Sequence, residues 1–196
     1  MDETRNRILD VARDLLGQHP DAGMGDIASA ASVVRRTVYG YFPARSDLIR
    51  TLAERAVGEI TEVLKEVDTD TLPADAVWAQ FVARVWPLAH RYRVLLALRR
   101  GEQGDEIHAL LGSVDRILTE LVRRGQDQGA FGQHLPALVL GQIAYAAVFT
   151  IADVHRAEGT LDVHAAVITS LLTLGVPASR ANELADRAMV QESSRD

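Results

Sequence analysis

The chain contains no cysteine, which excludes a disulfide framework, a thiolate metal site and a cysteine nucleophile and agrees with a reducing compartment. Lysine is almost missing as well: Lys65 is the exception among 21 basic residues, a mark of a GC-rich coding genome rather than of a mechanism. No apolar run reaches the roughly 20 residues that span a bilayer. The most apolar stretch, Ala137 to Ala152, contains Gln142 and Thr150 and reads as a buried helix. The N-terminus, Met1-Asp2-Glu3-Thr4-Arg5, leads into an amphipathic stretch rather than a basic patch and an apolar core. No signal peptide and no membrane partner are therefore expected, and the expected location is cytoplasmic. Catalytic signatures are missing too: there is no HExxH, P-loop, GxSxG or strand-linked GxGxxG. The histidines His19, His90, His108, His134, His155 and His164 show no i, i+3 or i+4 pairing with one another. No metal, no cofactor and no enzymatic activity are expected.

What is present is an ordinary globular balance, 47% hydrophobic and 24% charged over 196 residues, enough for one large or two small domains. The net charge of -6 argues against a generally basic nucleic-acid binder. Its distribution is uneven. Residues 1 to 50 hold seven arginines against seven acids, and within 32 to 50 Arg35, Arg36, Arg45 and Arg50 face only Asp47, a local +3. Because salt screens charge beyond about 8 to 10 Å, local balance governs phosphate contact. A solvated face has the same composition, and charge alone does not separate the two.

Helical periodicity runs through the chain. Ile8, Val11/Ala12 and Leu15/Leu16 predict a first helix over 4 to 17, stopped by Gly17 and Pro20. A short second helix fits Met24 to Ala31, a third fits Arg35 to Tyr41, and Pro43 ends it. A long fourth helix carries Leu48, Leu52, Ala56, Ile60 and Leu64 to about Val67. After Pro73 a fifth is expected, kinked or divided at Pro87. A short piece over Tyr92 to Arg100 follows, then helices over 105 to 128, 137 to 156 and 163 to 174, and a charged tail from Ala178 adding a last turn or two. Nothing alternates with period 2. The fold class expected is all-α with about nine helices.

Three short helices with a tight turn between the second and third are the layout of a helix-turn-helix. Val38 and Phe42 would dock the third helix, leaving Arg35, Arg36, Thr37, Tyr39 and Tyr41 on its remaining surface. Hydroxyls and arginines are the groups that meet phosphates and base edges.

Three blocks in order, Thr4-Arg-Asn-Arg-Ile-Leu-Asp-Val-Ala, Asp26-Ile-Ala-Ser-Ala-Ala and Thr37-Val-Tyr-Gly-Tyr-Phe-Pro-Ala-Arg-Ser-Asp-Leu, resemble the TetR family of one-component repressors over about residues 4 to 50. The segment Arg124-Gly-Gln-Asp-Gln-Gly-Ala-Phe is similar to the family's junction before its dimerisation helices. The resemblance implies a helix-turn-helix domain over 1-46 and an effector-binding and dimerisation domain over 47-196. It places Arg36 and Thr37 at the major groove, Tyr39 and Tyr41 against sugar-phosphate, and Arg45 where the family usually has a phosphate-binding lysine. Its implied partners are a double-stranded DNA operator of pseudo-palindromic form, a small-molecule effector and a second copy of the chain.

Four positions depart from the family's wording. Ser32 stands for the glycine of the turn, Val34 and Ala44 for capping residues, and Gly23 for a capping threonine. Each lost side-chain cap costs about 1 kcal/mol, less where glycine replaces it, and a non-glycine residue at φ > 0 adds strain. In the body, Trp78, Phe81, Trp86, His90, His108, Tyr145 and Phe149 supply aromatic area with polar tips, the composition of a small-molecule pocket and equally of ordinary core. Gly141, Ala144, Ala147 and Ala152 with Val163, Val167, Ser170, Leu171 and Leu174 suit a two-fold four-helix interface. The competing reading is an all-α ligand-binding or protein-interaction module without specific DNA binding.

Overall fold

The apolar periodicity is realised as buried stripes. In the computed structural model, which describes residues 3–67, 71–92, 104–158 and 161–193, with side chains at 3–67, 71–92, 109–154 and 161–191, the described residues form nine helices and no strand. They are α1 (Glu3–Gln18), α2 (Met24–Ala30), α3 (Arg35–Tyr41), α4 (Arg45–Glu66), α5 (Ala74–Arg91), α6 (Gly104–Asp127), α7 (Ala137–Glu158), α8 (Val163–Thr173) and α9 (Ala178–Ser193). The chain divides into two compact units, Met1–Gly58 with Arg91–Leu111, and Glu59–His90 with Gly112–Asp196.

In the first unit, Ile8, Leu9 and Leu16 of α1, Ile27 of α2, Phe42, and Leu48, Ile49 and Leu52 of α4 are almost completely buried. Each such side chain contributes about 1.5–3 kcal/mol relative to exposure. This burial is what keeps α2 and α3 helical, since helices of 7 residues are not stable by themselves in water. At the edge of the unit Arg55 of α4 reaches Asp10 of α1 at 2.9 Å, and Arg13 shares that carboxylate at 3.3 Å.

The missing caps are only partly missing. At α2 the Gly23 backbone N–H donates to the Asp26 carboxylate at 2.8 Å, and at α4 the Ala44 N–H donates to Asp47 at 3.0 Å. Each acid supplies one half of a capping box from the third helical position, where its charge also opposes the helix dipole favourably. The cost expected of the missing side-chain caps at these two helices is thereby partly offset. α3 has no such help: Val34 accepts nothing through its side chain, and the Thr37 N–H falls back on the Val34 carbonyl at 2.9 Å. The turn before it is strained as expected, with Ser32 at φ 54°, its N–H bonded to the Ser29 carbonyl at 3.1 Å.

The second unit is built on α5, whose Val77, Trp78, Phe81, Val82 and Val85 are buried. Pro87 lies inside α5 without dividing it. The short helix expected over Tyr92 to Arg100 lies outside the described residues except for Tyr92, which is buried. The tail is more than the turn or two expected: α9 runs for 16 residues and buries Ala181, Leu184, Ala185 and Ala188 at i, i+3, i+4 and i+7. It packs on α8, and Arg180 donates to Asp75 at 2.8 Å, fastening α9 to the start of α5. The hydrogen bond to Asp75, itself largely buried, raises the Arg180 pKa, so this end of the pair keeps its charge across the ordinary pH range.

The apolar run in α7 also differs from expectation. The helix has 22 residues, and Ala137–Val154, with mean hydropathy 1.8, is long and apolar enough to cross a membrane, yet only 39% of it is buried. Its exposure is one-sided. Leu138, Val139, Ile143 and Val154 are exposed, while Leu140, Ala144, Val148 and Ala152 are buried where α7 packs on α8.

Two predictions follow from the turn and the caps. Ser32→Gly removes the left-handed strain but adds unfolded-chain entropy, so a net gain of roughly 0.5–1 kcal/mol is expected, read as a higher urea midpoint at unchanged slope. An unchanged or lower midpoint contradicts the strain. Amide exchange at residues 34 to 38 is expected to be faster than in the middle of α1 in the DNA-free protein; equal protection contradicts the uncapped start of α3.

Candidate functional site

α3 has one inward and one outward side. Val38 is fully buried, and at 3.6 residues per turn the direction opposite to it is shared by Arg36 and Gly40, with Thr37 and Tyr39 on the flanks. Exposure follows this geometry: Arg35, Arg36, Tyr39 and Gly40 are exposed, while Thr37 and Tyr41 are half-buried. The structure therefore brings Arg35, Arg36, Thr37, Tyr39 and Tyr41 onto one short helix. Arg35 leans on α2, where Gly25 leaves it room; a Cβ on Gly25 would lie 3.3 Å from the Arg35 Nε. Arg36 and Tyr39 make no ion pair or hydrogen bond among the described residues.

Val34, at the start of the helix, is the most exposed of the large apolar residues described, at 69%. Below the surface, Phe42 is buried with the Arg5 guanidinium 5.3 Å from its ring centroid, within the range of a cation–π contact.

Arg45 is placed differently from a free phosphate ligand. Its Nε donates to the Ala22 carbonyl at 3.3 Å, and an Nη donates to the Pro20 carbonyl. The guanidinium thus ties the start of α4 to the loop between α1 and α2. Sequence spacing gave no sign of this, because the two segments are 23 and 25 residues apart.

The aromatic residues of the second unit form a stack. Trp78 and Phe81 lie 6.1 Å apart edge to face, Phe81 and Tyr145 stack at 6.0 Å, and Tyr145 meets Phe149 at 4.8 Å. Phe131, absent from the sequence candidates, closes on Trp78 at 6.5 Å. The Trp78 indole N–H donates to the buried Ser170 hydroxyl at 3.1 Å, which donates to the Val167 carbonyl at 2.9 Å. Packed and satisfied in this way, Trp78 and Phe81 are core. Trp86 and His90 form a separate edge-to-face pair at 4.6 Å, both half-buried. The His108 side chain lies outside the described residues.

A large cavity of this unit lies elsewhere. About 650 Å³ opens over Leu64, Val67, Val77, Ile117 and Leu121, with Arg116, Glu120, Arg124 and Asp127 around it. None of the six aromatic candidates whose side chains are described lines it. A signal for it existed in α6, where Ile117 and Leu121 are four apart beside Arg116, Glu120 and Arg124 at the same spacing. A search for rings passes over such a pattern.

The small residues of α7 and α8 are mostly turned inward: Gly141, Ala144, Ala152, Val167, Ser170, Leu171 and Leu174 are buried, and Ala147 and Val163 are half-buried. The apolar surface that remains uncovered consists of Leu138, Val139, Ile143 and Val154 on α7 and Leu172 on α8. Among the described residues no group of three or more His, Cys, Asp or Glu side chains is arranged to hold a metal.

Residues 8–52 match the family described as bacterial regulatory proteins, tetR family. The HTH-type transcriptional repressor LfrR of Mycolicibacterium smegmatis is 41% identical over 81 residues, 41% of this chain and 43% of that protein, so the match spans less than half the length of either. The solved structure of the TetR-like regulator LfrR from Mycobacterium smegmatis in complex with proflavine is 27% identical, covers 88% of this chain and 94% of that one, and superposes with a TM-score of 0.68. The fatty acid degradation regulator FadR from Bacillus halodurans shares the fold, with a TM-score of 0.72 at 20% identity over 89% of this chain and 96% of that one. The matched N-terminal segment contains the outward face of α3, and the helical fold of the described residues extends beyond it; residues 8–52 are a segment of the tetR family of bacterial regulatory proteins.

Proposed function

We propose that the protein is a DNA-binding transcriptional regulator, a ligand-responsive repressor that binds a pseudo-palindromic operator as a homodimer in the bacterial cytoplasm. The observation that carries this reading is the outward face of α3: Arg36 and Tyr39 are exposed and make no ion pair or hydrogen bond among the described residues, within the segment matched by the family. In this reading residues 1-46 are the DNA-binding domain. Arg36 and Thr37 meet base edges, while Arg35, Tyr39 and Tyr41 meet phosphate and sugar. Arg45 supports DNA binding chiefly by holding the α1–α2 loop, with its remaining N–H groups available to a phosphate.

Residues 47-196 bind effector and partner. The cavity over Leu64, Val67, Val77, Ile117 and Leu121 has the volume of a small-molecule site, about 300–1,000 Å³, and is the better candidate than the aromatic stack. The solved complex of LfrR with proflavine supports a small organic effector. Repression is relieved if that effector binds a dimer arrangement whose two heads no longer match the half-sites, and DNA then weakens effector binding by the same factor. The uncovered stripe of α7 with Leu172 of α8 is the surface for the second copy. Dimerisation places two recognition helices about 34–36 Å apart, one turn of DNA.

Mobility-shift titration against DNA from upstream of the protein's own gene tests the first part. Arg36→Ala is expected to lose about 1–3 kcal/mol of specific affinity and to relax preference at one base position, with melting temperature unchanged. The DNA-binding reading fails if the wild-type protein forms no specific complex at any salt, or if Arg36→Ala and Thr37→Ala bind like wild type. Light scattering after size exclusion tests the second part. Wild type is expected at twice the chain mass, and Ile143→Asp with Leu172→Asp at the chain mass; a dimer that survives both substitutions places the interface elsewhere.

A further inference from the structure

Gly40 has no function inside the chain. It is the next-to-last residue of α3, it is not among the glycines with positive φ, it is exposed, and a Cβ built on it meets no neighbouring atom within 4 Å. Neither backbone conformation nor packing requires a glycine there. A glycine inside a helix is nevertheless costly relative to alanine, and this helix has only 7 residues and no side-chain cap. The cost falls on the part of the unit least able to bear it.

Its position supplies the reason. Gly40 and Arg36 share the direction opposite the buried Val38, and Tyr39 stands beside them. A helix with its side chains is about 10–12 Å across, and the major groove of DNA is about 12 Å wide, so the outermost side chain sets how deeply the helix sits. We infer that Gly40 is a docking notch: the absent side chain lets the backbone of α3 approach the groove, bringing Arg36, Thr37 and Tyr39 within reach of base edges and phosphates. This rests on the DNA-binding reading above and adds to it a residue that positions the others by having no side chain.

The notch makes stability and DNA affinity move in opposite directions on one substitution. Gly58 provides the comparison, because it is an exposed glycine inside α4 with nothing within 4 Å of an added Cβ. Gly40→Ala and Gly58→Ala are each expected to raise the melting temperature by about 1–4 °C. On the highest-affinity duplex recovered by the wild-type protein from a random-sequence pool, Gly40→Ala is expected to bind roughly tenfold more weakly or worse, from overfilling a close contact. Gly58→Ala should bind like wild type. Equal or tighter binding by Gly40→Ala overturns the notch and leaves the DNA-binding reading standing, as does a lower melting temperature for Gly40→Ala, which would make the glycine a requirement of the fold. Equal weakening by Gly58→Ala also overturns it. If the pool yields no specific duplex for the wild-type protein, the DNA-binding reading fails and the notch fails with it.

Discussion

The burial of Val38 and Phe42 is the constraint on which the N-terminal unit turns. α3 is too short to hold itself and has no side chain at its start to receive its free N–H groups. Its order comes from the side it buries. Val38 faces inward, and Phe42 is sealed beneath Arg5; that anchoring determines which residues point outward. The orientation of Arg36, Tyr39 and Gly40 is therefore a consequence of packing rather than of helix propensity. A change in the buried pair would rotate or melt the outward face without touching any residue on it.

The elements around α3 are secured by polar devices that differ from the usual ones. Asp26 and Asp47 reach back to the N–H groups of Gly23 and Ala44, doing from inside the helix what a hydroxyl does from the cap. Arg45 holds the carbonyls of Pro20 and Ala22, and Arg55 holds Asp10. The start of α3 has no side-chain cap of this kind, and Ser32 in the turn before it carries strain instead. The frame is thus fastened at its edges and least supported at the surface read here as facing DNA. That arrangement suits a segment whose final order can come from its partner.

Helix periods, the buried stripe of α1 and the outward residues of α3 were readable from sequence because they depend on local spacing. The capping acids were readable in principle, since Asp26 and Asp47 stand three residues after Gly23 and Ala44. The acid in the first turn signals a favourable charge, whereas its bond back to the cap N–H is visible only in the folded helix. The role of Arg45 was not readable, because it depends on a loop more than 20 residues away. α9 was underestimated for a different reason: its buried face is made largely of alanine, Ala181, Ala185 and Ala188 with Leu184, and small side chains give a weak apolar signal among charges. The opposite error occurred in α7, where a high apolar content read as complete burial although one side is uncovered.

The aromatic residues illustrate why composition is a poor guide to a binding site. Rings that bury large areas are also the best core fillers, and Trp78 and Phe81 are used that way, with the indole N–H satisfied by Ser170. Opening a site among them would break a buried hydrogen bond and an interlocked stack. The cavity near Leu64 and Leu121 requires no such cost, because its space of about 650 Å³ is already open and its charged residues stand around it. Aliphatic walls also adapt to ligands of different outline more readily than interlocked rings do. On the effector-binding reading proposed above, this separation divides the labour: the rings hold the unit together, and the aliphatic cavity is left to the ligand.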